Sequence, residues 1–355
     1  MKAARYYGHH NIRVEEVEEP QPQEGQVIVD VEWCGICGSD LHEYLIGPTI
    51  LLPTKERPAA NGVHIPVTLG HELCGRVRTS VPGSKLRPGD PVMVDPRVAC
   101  HSCLPCKAGQ SYCCHKLGYV GGSTGFGGFG KTVVVNEKSL HLLPPEIPLE
   151  YAAIIEPLAV VNHAIKISGF GEWRDRDVLV VGGGPIGFAL LLVLKAVGAN
   201  RVIISEPTAA RRAQVADFAS AVIDPIQEDV ARRVQELTAG QGAEVVFDCA
   251  GVPAGLESAM SAIRHEGMYV MVAVWEKPMT IPCMTFLAKH ITMKGTLIFA
   301  DGDFEEIMDL MASGRLRGYE RLITGRIALD DIVEKGFEQL INRKDEHIKI
   351  LVKPT

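Results

Sequence analysis

Asp177-Val178-Leu179-Val180-Val181 runs straight into Gly182-Gly183-Gly184-Pro185-Ile186-Gly187, and from there into an apolar stretch ending near Val197. A strand apolar at every position from Val178 onward is buried on both faces, the habit of parallel sheets covered by helices. A second strand, Arg201 to Ser205, follows and closes on Glu206. A bare G-x-G-x-x-G is weak evidence. Between a strand and a helix, with an acidic residue ending the next strand, it points to a dinucleotide-binding βαβ unit. Gly182, Gly184 and Gly187 let the backbone approach a pyrophosphate; Pro185 presets the first helical turn, and from Ile186 onward the helix start offers unpaired N–H groups and positive potential. Glu206 is suited to accept from the adenosine ribose hydroxyls and to repel a 2′-phosphate. NAD is therefore favoured, with NADP the alternative that Arg211 and Arg212 keep open.

The same rhythm continues. Ala221-Val222-Ile223, Glu244 to Asp248 and Met268 to Val272 read as strands, with helices over Val230 to Thr238 and Leu256 to Ile263. Such alternation gives a doubly wound parallel sheet whose ligand lies past the strand C-termini. Gly251 and Val274 sit at two of those ends and are candidates to face the nicotinamide half. Residues 159–297 form this domain.

The first 150 residues follow a different grammar. Short strands (Val27 to Trp33, Gly75-Arg76-Val77, Pro91 to Val94) alternate with turns such as Pro20-Gln21-Pro22 and Pro88-Gly89-Asp90, which reads as a small β-barrel. Tyr151 to Ser168 is helical in pattern. The alternating run Val27, Val29, Val31, Trp33 leads into Cys34-Gly35-Ile36-Cys37-Gly38-Ser39-Asp40-Leu41-His42, with Gly70-His71-Glu72 and Glu156-Pro157 as candidate partners. A thiolate, an imidazole and carboxylates from three segments suit a Zn²⁺ with an open coordination position. Taken alone, Cys37 fits a buried structural cysteine better than a ligand, and it is the other segments that turn the reading towards metal. The long segment between Tyr44 and Val67, with its four prolines, reads as lining a substrate entrance.

Beyond residue 297 the α/β rhythm stops, and Ile348-Lys349-Ile350-Leu351-Val352 reads as a strand. Residues 298–355 are expected to return to the first domain. The catalytic domain is then 1–158 plus 298–355, with the nucleotide domain inserted.

Cys100, Cys103 and Cys106 stand at three-residue steps, with Cys113-Cys114 close behind. Four thiolates so spaced wrap a tetrahedral zinc closed to substrate, and the spacing does not choose between Cys113 and Cys114. Gly121 to Gly130 follows no apolar parallel-type strand and opens no helix, so it reads as a structural loop rather than a phosphate loop. A formal charge of −7 without a basic block argues against nucleic acid or an acidic membrane as partner. No apolar run approaches the ~18 residues of a membrane span. The start, Met1-Lys2-Ala3-Ala4-Arg5, lacks a secretory apolar region, so the cytosol is expected.

The Cys37–His42 run, Gly70-His71-Glu72, the cysteine cluster and the Gly182–Gly187 fingerprint, in this order, resemble the zinc-containing medium-chain alcohol dehydrogenase family. Leu41-His42-Glu43-Tyr44, Ser205-Glu206-Pro207 and Leu340-Ile341-Asn342 resemble its 2,3-butanediol branch, and Glu156-Pro157 is shared with the sorbitol branch. The resemblance implies an α/β fold: a GroES-like β-barrel catalytic domain with an inserted Rossmann doubly wound parallel sheet, assembled as a homodimer or homotetramer. It implies two zinc ions per chain. Cys37, His71, Glu72 and Glu156 would serve the catalytic one, the glutamates directly or through water, and Cys100, Cys103, Cys106 and Cys114 the structural one. Asp40 would orient a ligand histidine. The chain departs from the family pattern at Gly130-Lys131, where many relatives carry Ala-Glu.

The chemistry so implied is reversible hydride transfer between a secondary alcohol and NAD, with Ser39 taking the alcohol proton and His42 relaying it. A vicinal diol or hydroxyketone, 2,3-butanediol/acetoin first, is the expected small-molecule substrate. Polyols of the sorbitol and xylitol type and L-threonine are the enzymatic alternatives. A zinc-free quinone reductase, or a catalytically silent nucleotide-binding redox sensor using Cys113, fits the two cysteine motifs less well.

Overall fold

The computed structural model describes residues 1–48, 52–56, 59, 62–276 and 278–354. It divides into two compact units. One comprises Met1–Glu156, Ala300–Ala312 and Ile323–Thr355, the other Pro157–Phe299 and Ser313–Leu322. This differs from the sequence boundaries (1–158, 159–297, 298–355) mainly at Ser313–Leu322, which groups with the second unit. There Arg321 pairs with Asp217 at 2.8 Å and lies over the Phe218 ring, contacts between distant stretches that no local pattern announces.

The first unit is mainly antiparallel. Its principal sheet runs Leu140–Leu142, Pro91–Val94, Glu72–Val77, Gln26–Gly35, Lys349–Lys353, Ile323–Ala328, with Thr132–Asn136 also paired to Gln26–Gly35. Val27, Val29 and Val31 point into its core with Leu73, Val92, Val133 and Ile350. The alternation does not carry on to Trp33. Opposite Glu72–Val77 the register shifts between Val31 and Trp33, so Cys34 turns inward, fully buried, while Trp33 lies under the cations of Arg326 and Lys353. A bulge of this kind re-aims every side chain after it. The C-terminal strand lies antiparallel to Gln26–Gly35, pairing Leu351 with Gly35 and Val352 with Cys34.

The second unit is a six-stranded parallel sheet, ordered Ala221–Ile223, Arg201–Ser205, Asp177–Val181, Ala243–Asp248, Ile263–Met271, Thr292–Gly295. This is the doubly wound order, with the crossover beside Asp177–Val181. Val178 to Val181 and the strand Ala243–Asp248 are buried at every position, as two-sided coverage requires. The helical pattern of Tyr151 to Ser168 proves to be two helices, Leu149–Ala152 and Ile155–Ile167, interrupted by a turn. Among the described residues no helix is long and apolar enough to cross a membrane.

Candidate functional site

Cys37 caps the helix Gly38–Ile46, and its backbone N–H donates to Asp40 Oδ2 at 3.0 Å. Ser39 follows Cys37 in the first turn of the same helix, close enough for its hydroxyl to oppose the rise in the Cys37 thiol pKa. His42 lies three residues along the same helix from Ser39, on the same side of it. Glu72 opens the strand Glu72–Val77, whose register sets it opposite Gly35. A Cβ at Gly35 would fall 2.1 Å from Glu72 Oε2, so only glycine leaves room for the carboxylate. Cys37, His71 and Glu72 thus present ligand atoms within 4.8 Å of one another.

The electrostatics of this group call for a cation. Desolvation, reinforced by the charge of Glu72, pushes the Cys37 thiol up to about 12. Glu156, buried in the first turn of Ile155–Ile167, stands outside the three-residue group but within its field. Desolvation pushes its carboxyl up to about 8; the charges of Glu72 and Cys37 add to this and that of His71 opposes it. His71 Nδ1 is buried without a hydrogen-bond partner, 3.8 Å from Asp40 Oδ1, too far for a hydrogen bond. Thiol, imidazole and carboxylate in this arrangement fit zinc.

Two further residues belong to the site. Lys349, at the start of the last strand, is buried with its Nζ 2.5 Å from both oxygens of Glu72 and 3.3 Å from the Ile36 carbonyl oxygen. Its only sequence signal is a lysine inside an apolar strand. Tyr119 lies edge-on to the His71 ring, centroids 5.6 Å apart at 81°. Desolvation, with the charges of Asp40, Glu43 and Cys37, pushes its phenol well up.

The glycine-rich loop after Tyr119 is the wall behind His71. Gly128 N–H donates to Gly70 O at 2.8 Å and Phe129 N–H to Leu69 O at 3.0 Å. A Cβ at Gly121 would meet Gly70 O at 2.6 Å, so the loop packs flush only because it is glycine. The segment between Tyr44 and Val67, read as a substrate entrance, falls in part outside the described residues, at 49–51, 57–58 and 60–61.

Cys100, Cys103, Cys106 and Cys114 form the second group. Cys103 Sγ lies 3.4 Å from Cys106 Sγ and 3.9 Å from Cys114 Sγ, while the Cys100 and Lys116 N–H groups each donate to Cys114 Sγ at 3.3 Å. Disulfide sulfurs stand about 2.05 Å apart, whereas thiolates about 2.3 Å from a tetrahedral zinc stand roughly 3.8 Å from one another. The spacing fits zinc. Cys113 is exposed and outside the group.

In the second unit Gly182 takes a φ of 98°, and a Cβ at Gly187 would lie 1.9 Å from Gly182 O, so the turn into Pro185–Ala196 closes only with glycine there. The cradle this leaves fits a pyrophosphate. Glu206, buried at the end of Arg201–Ser205, accepts from Gly183 N–H at 2.6 Å and Thr208 N–H at 2.8 Å. Arg211 reaches towards Gly184, with a Cβ there 3.4 Å from its Nη1. Arg212 pairs with Asp224 at 2.8 Å and donates to the Glu206 and Pro207 carbonyls. Gly251 and Val274 adjoin, a Cβ at Gly251 lying 3.1 Å from the Val274 carbonyl oxygen. Asp248 fixes that turn by accepting from Ala250 and Gly251 N–H and from Trp275 Nε1, each at 3.0 Å.

Two family models match: an alcohol dehydrogenase GroES-like domain over residues 23–145 and a zinc-binding dehydrogenase over 185–313. The chain is 36% identical to an (R,R)-butanediol dehydrogenase of Neisseria gonorrhoeae, covering 100% of this chain and 99% of that one. It is 37% identical to the (R,R)-butanediol dehydrogenase of Bacillus subtilis over the full length of both. A crystal structure of the 2R,3R-butanediol dehydrogenase from Bacillus subtilis superposes with a TM-score of 0.91, at 36% identity over 100% of this chain and 99% of that one.

Proposed function

The chain belongs to the zinc-containing medium-chain alcohol dehydrogenase family, and on that premise we propose that it interconverts 2,3-butanediol and acetoin using NAD. It is a zinc-dependent oxidoreductase acting on CH–OH groups with a nicotinamide cofactor. The substrate reading is carried by one observation, the full-length likeness to butanediol dehydrogenases from two organisms.

In this reading Cys37, His71 and Glu72 hold the catalytic zinc, with Glu156 a direct or water-bridged ligand, and Cys100, Cys103, Cys106 and Cys114 hold a structural one. Bound zinc supplies Lewis acidity that lowers the pKa of an alcohol as it does that of water, and the nicotinamide supplies the hydride acceptor. Asp40 ties the Cys37 backbone and faces His71, fixing the direction of both ligands. Ser39 Oγ takes the proton of the alcohol, and the His42 imidazole hands it to water. Lys349 balances the Glu72 charge.

Gly182, Gly184, Pro185, Ile186 and Gly187 cradle the pyrophosphate, while Gly251 and Val274 face the nicotinamide half. NAD is preferred over NADP because Glu206 puts a carboxylate where a 2′-phosphate would lie. The Asp224 and carbonyl contacts of Arg212 hold it to a structural task, which leaves Arg211 as the cation nearest the fingerprint.

The working form is a homodimer or homotetramer in the cytosol. Thr292–Gly295 ends its sheet with one edge open, and Met284, Leu287 and Leu297 nearby in sequence are exposed apolar residues that a second copy would cover. NADH formation from 2,3-butanediol, 2-butanol, sorbitol, xylitol and L-threonine, with and without a chelator, tests the function. Chelator-sensitive turnover fastest on the diol is expected. Fastest turnover on sorbitol, xylitol or threonine would replace the substrate reading.

A further inference from the structure

We propose that the Tyr119 hydroxyl binds a second substrate oxygen, the one not being oxidised, and so selects substrates with oxygens on adjacent carbons. This rests on the dehydrogenase reading above and adds to it a residue that would set substrate class.

Three observations converge on Tyr119. Its ring is fixed against His71 in an edge-to-face contact of 5.6 Å, which puts the phenol beside the Cys37–His71–Glu72 group. The ring cannot swing towards the loop behind it, because Gly122 underlies its hydroxyl end: a Cβ at Gly122 would stand 2.5 Å from Tyr119 Cζ. The backbone on either side is tied as well. Tyr119 N–H donates to Ser123 Oγ at 2.8 Å, and its strand, Gly118–Tyr119, pairs with Arg97–Val98.

The hydroxyl itself is uncommitted. Tyr6, Tyr44 and Tyr269 each donate to a partner: the Glu43 carbonyl, the Glu338 carboxylate and the Asp248 carboxylate. Among the described residues no group hydrogen-bonds the Tyr119 hydroxyl, yet it is not among the sealed, unsatisfied polar atoms. A phenol held rigid beside a reaction centre, with no partner for its hydroxyl among the described residues, is a donor awaiting a ligand. A monohydric alcohol gives it nothing, whereas a neighbouring hydroxyl or carbonyl completes its hydrogen bond. Sites built to hydrogen-bond a substrate oxygen discriminate strongly against analogues that lack it.

The test compares Tyr119→Phe with wild type, both as zinc-loaded holoenzyme. Steady-state rates on 2,3-butanediol and 2-butanol are measured, together with calorimetric binding of acetoin and 2-butanone to the NADH complex. Tyr119→Phe keeps the ring and its packing, and a thermal melt matching wild type controls for folding. If it melts lower, Tyr119→Leu, which lacks both ring and hydroxyl, is compared on the same ratios. The expected result is a fall of about 10-fold or more in kcat/KM for the diol and a similar weakening of acetoin binding, with 2-butanol and 2-butanone changed by less than about 2-fold. Equal losses on both members of each pair, or no loss on the diol, would overturn the proposal while leaving the dehydrogenase reading intact. A wild type that oxidises neither alcohol would overturn both.

Discussion

Lys349 and Glu72 form a buried ion pair across the strand between theirs, with Lys349 Nζ 2.5 Å from each carboxylate oxygen. The strand Gln26–Gly35 lies between Glu72–Val77 and Lys349–Lys353, and Gly35, having no side chain, lets the carboxylate pass over it. The end of the chain thereby fixes a residue of the metal group near its start. Taking two charges out of water is costly, and the pair survives because each neutralises the other while the Ile36 carbonyl takes a third contact.

Removing the cation should leave Glu72 buried and uncompensated. Lys349→Met is expected to lose about 3–5 kcal/mol of stability, read as a lower urea midpoint. The double variant Lys349→Met/Glu72→Gln should recover much of that loss, because no lone charge remains. Equal midpoints for Lys349→Met and wild type would show that the pair is not what holds these strands.

Cys103 and Cys113, both in the same cysteine-rich segment, should behave in opposite ways. Cys103→Ser removes a sulfur 3.4 Å from Cys106 Sγ and should cut bound zinc by one ion per chain and lower the melting temperature. Cys113→Ser, at an exposed thiol outside the group, should change neither. Zinc analysis by mass spectrometry with a thermal melt decides it, and zinc loss in the Cys113 variant would reassign the fourth ligand.

Glu206 accepts from the Gly183 and Thr208 N–H groups, and in the proposed reading it also binds the ribose. Glu206→Ser should weaken NADH binding by about 10- to 100-fold, the worth of a charged hydrogen bond of about 1.5–3 kcal/mol, and should strengthen NADPH binding. Fluorescence titration with both cofactors measures the pair of changes. An unchanged preference for NADH would remove Glu206 as the selecting residue.

His42→Gln should slow diol oxidation by about 10-fold near pH 6, where water is a poor proton acceptor, and by under about 2-fold near pH 9.5, where hydroxide substitutes. A loss that is the same at both ends of the profile would mean that His42 is not passing a proton.

Features written in local sequence were the legible ones. The apolar run Val178–Val181 with its glycines announces a parallel strand and turn, and cysteines at three-residue steps announce a thiolate cluster, because neighbours in sequence are what those structures use. The bulge at Val31–Trp33 was not legible: it depends on the facing strand, and it turned Cys34 inward where alternation pointed to Trp33. Lys349 and Tyr119 were likewise hidden, since the first meets Glu72 and the second His71 only after distant segments pair. Choosing Cys114 over Cys113 by spacing alone was impossible, because the short helical turn Ser111–Cys113 decides which sulfur faces inward.

Whether Cys37, His71 and Glu72 together hold a reactive zinc is tested most directly by zinc content and alcohol oxidation in Cys37→Ser. Wild type should carry two zinc ions per chain, one for each group, while Cys37→Ser retains one, still binds NADH and has lost turnover of 2,3-butanediol. A Cys37→Ser protein that keeps both ions and oxidises the diol at the wild-type rate would contradict it.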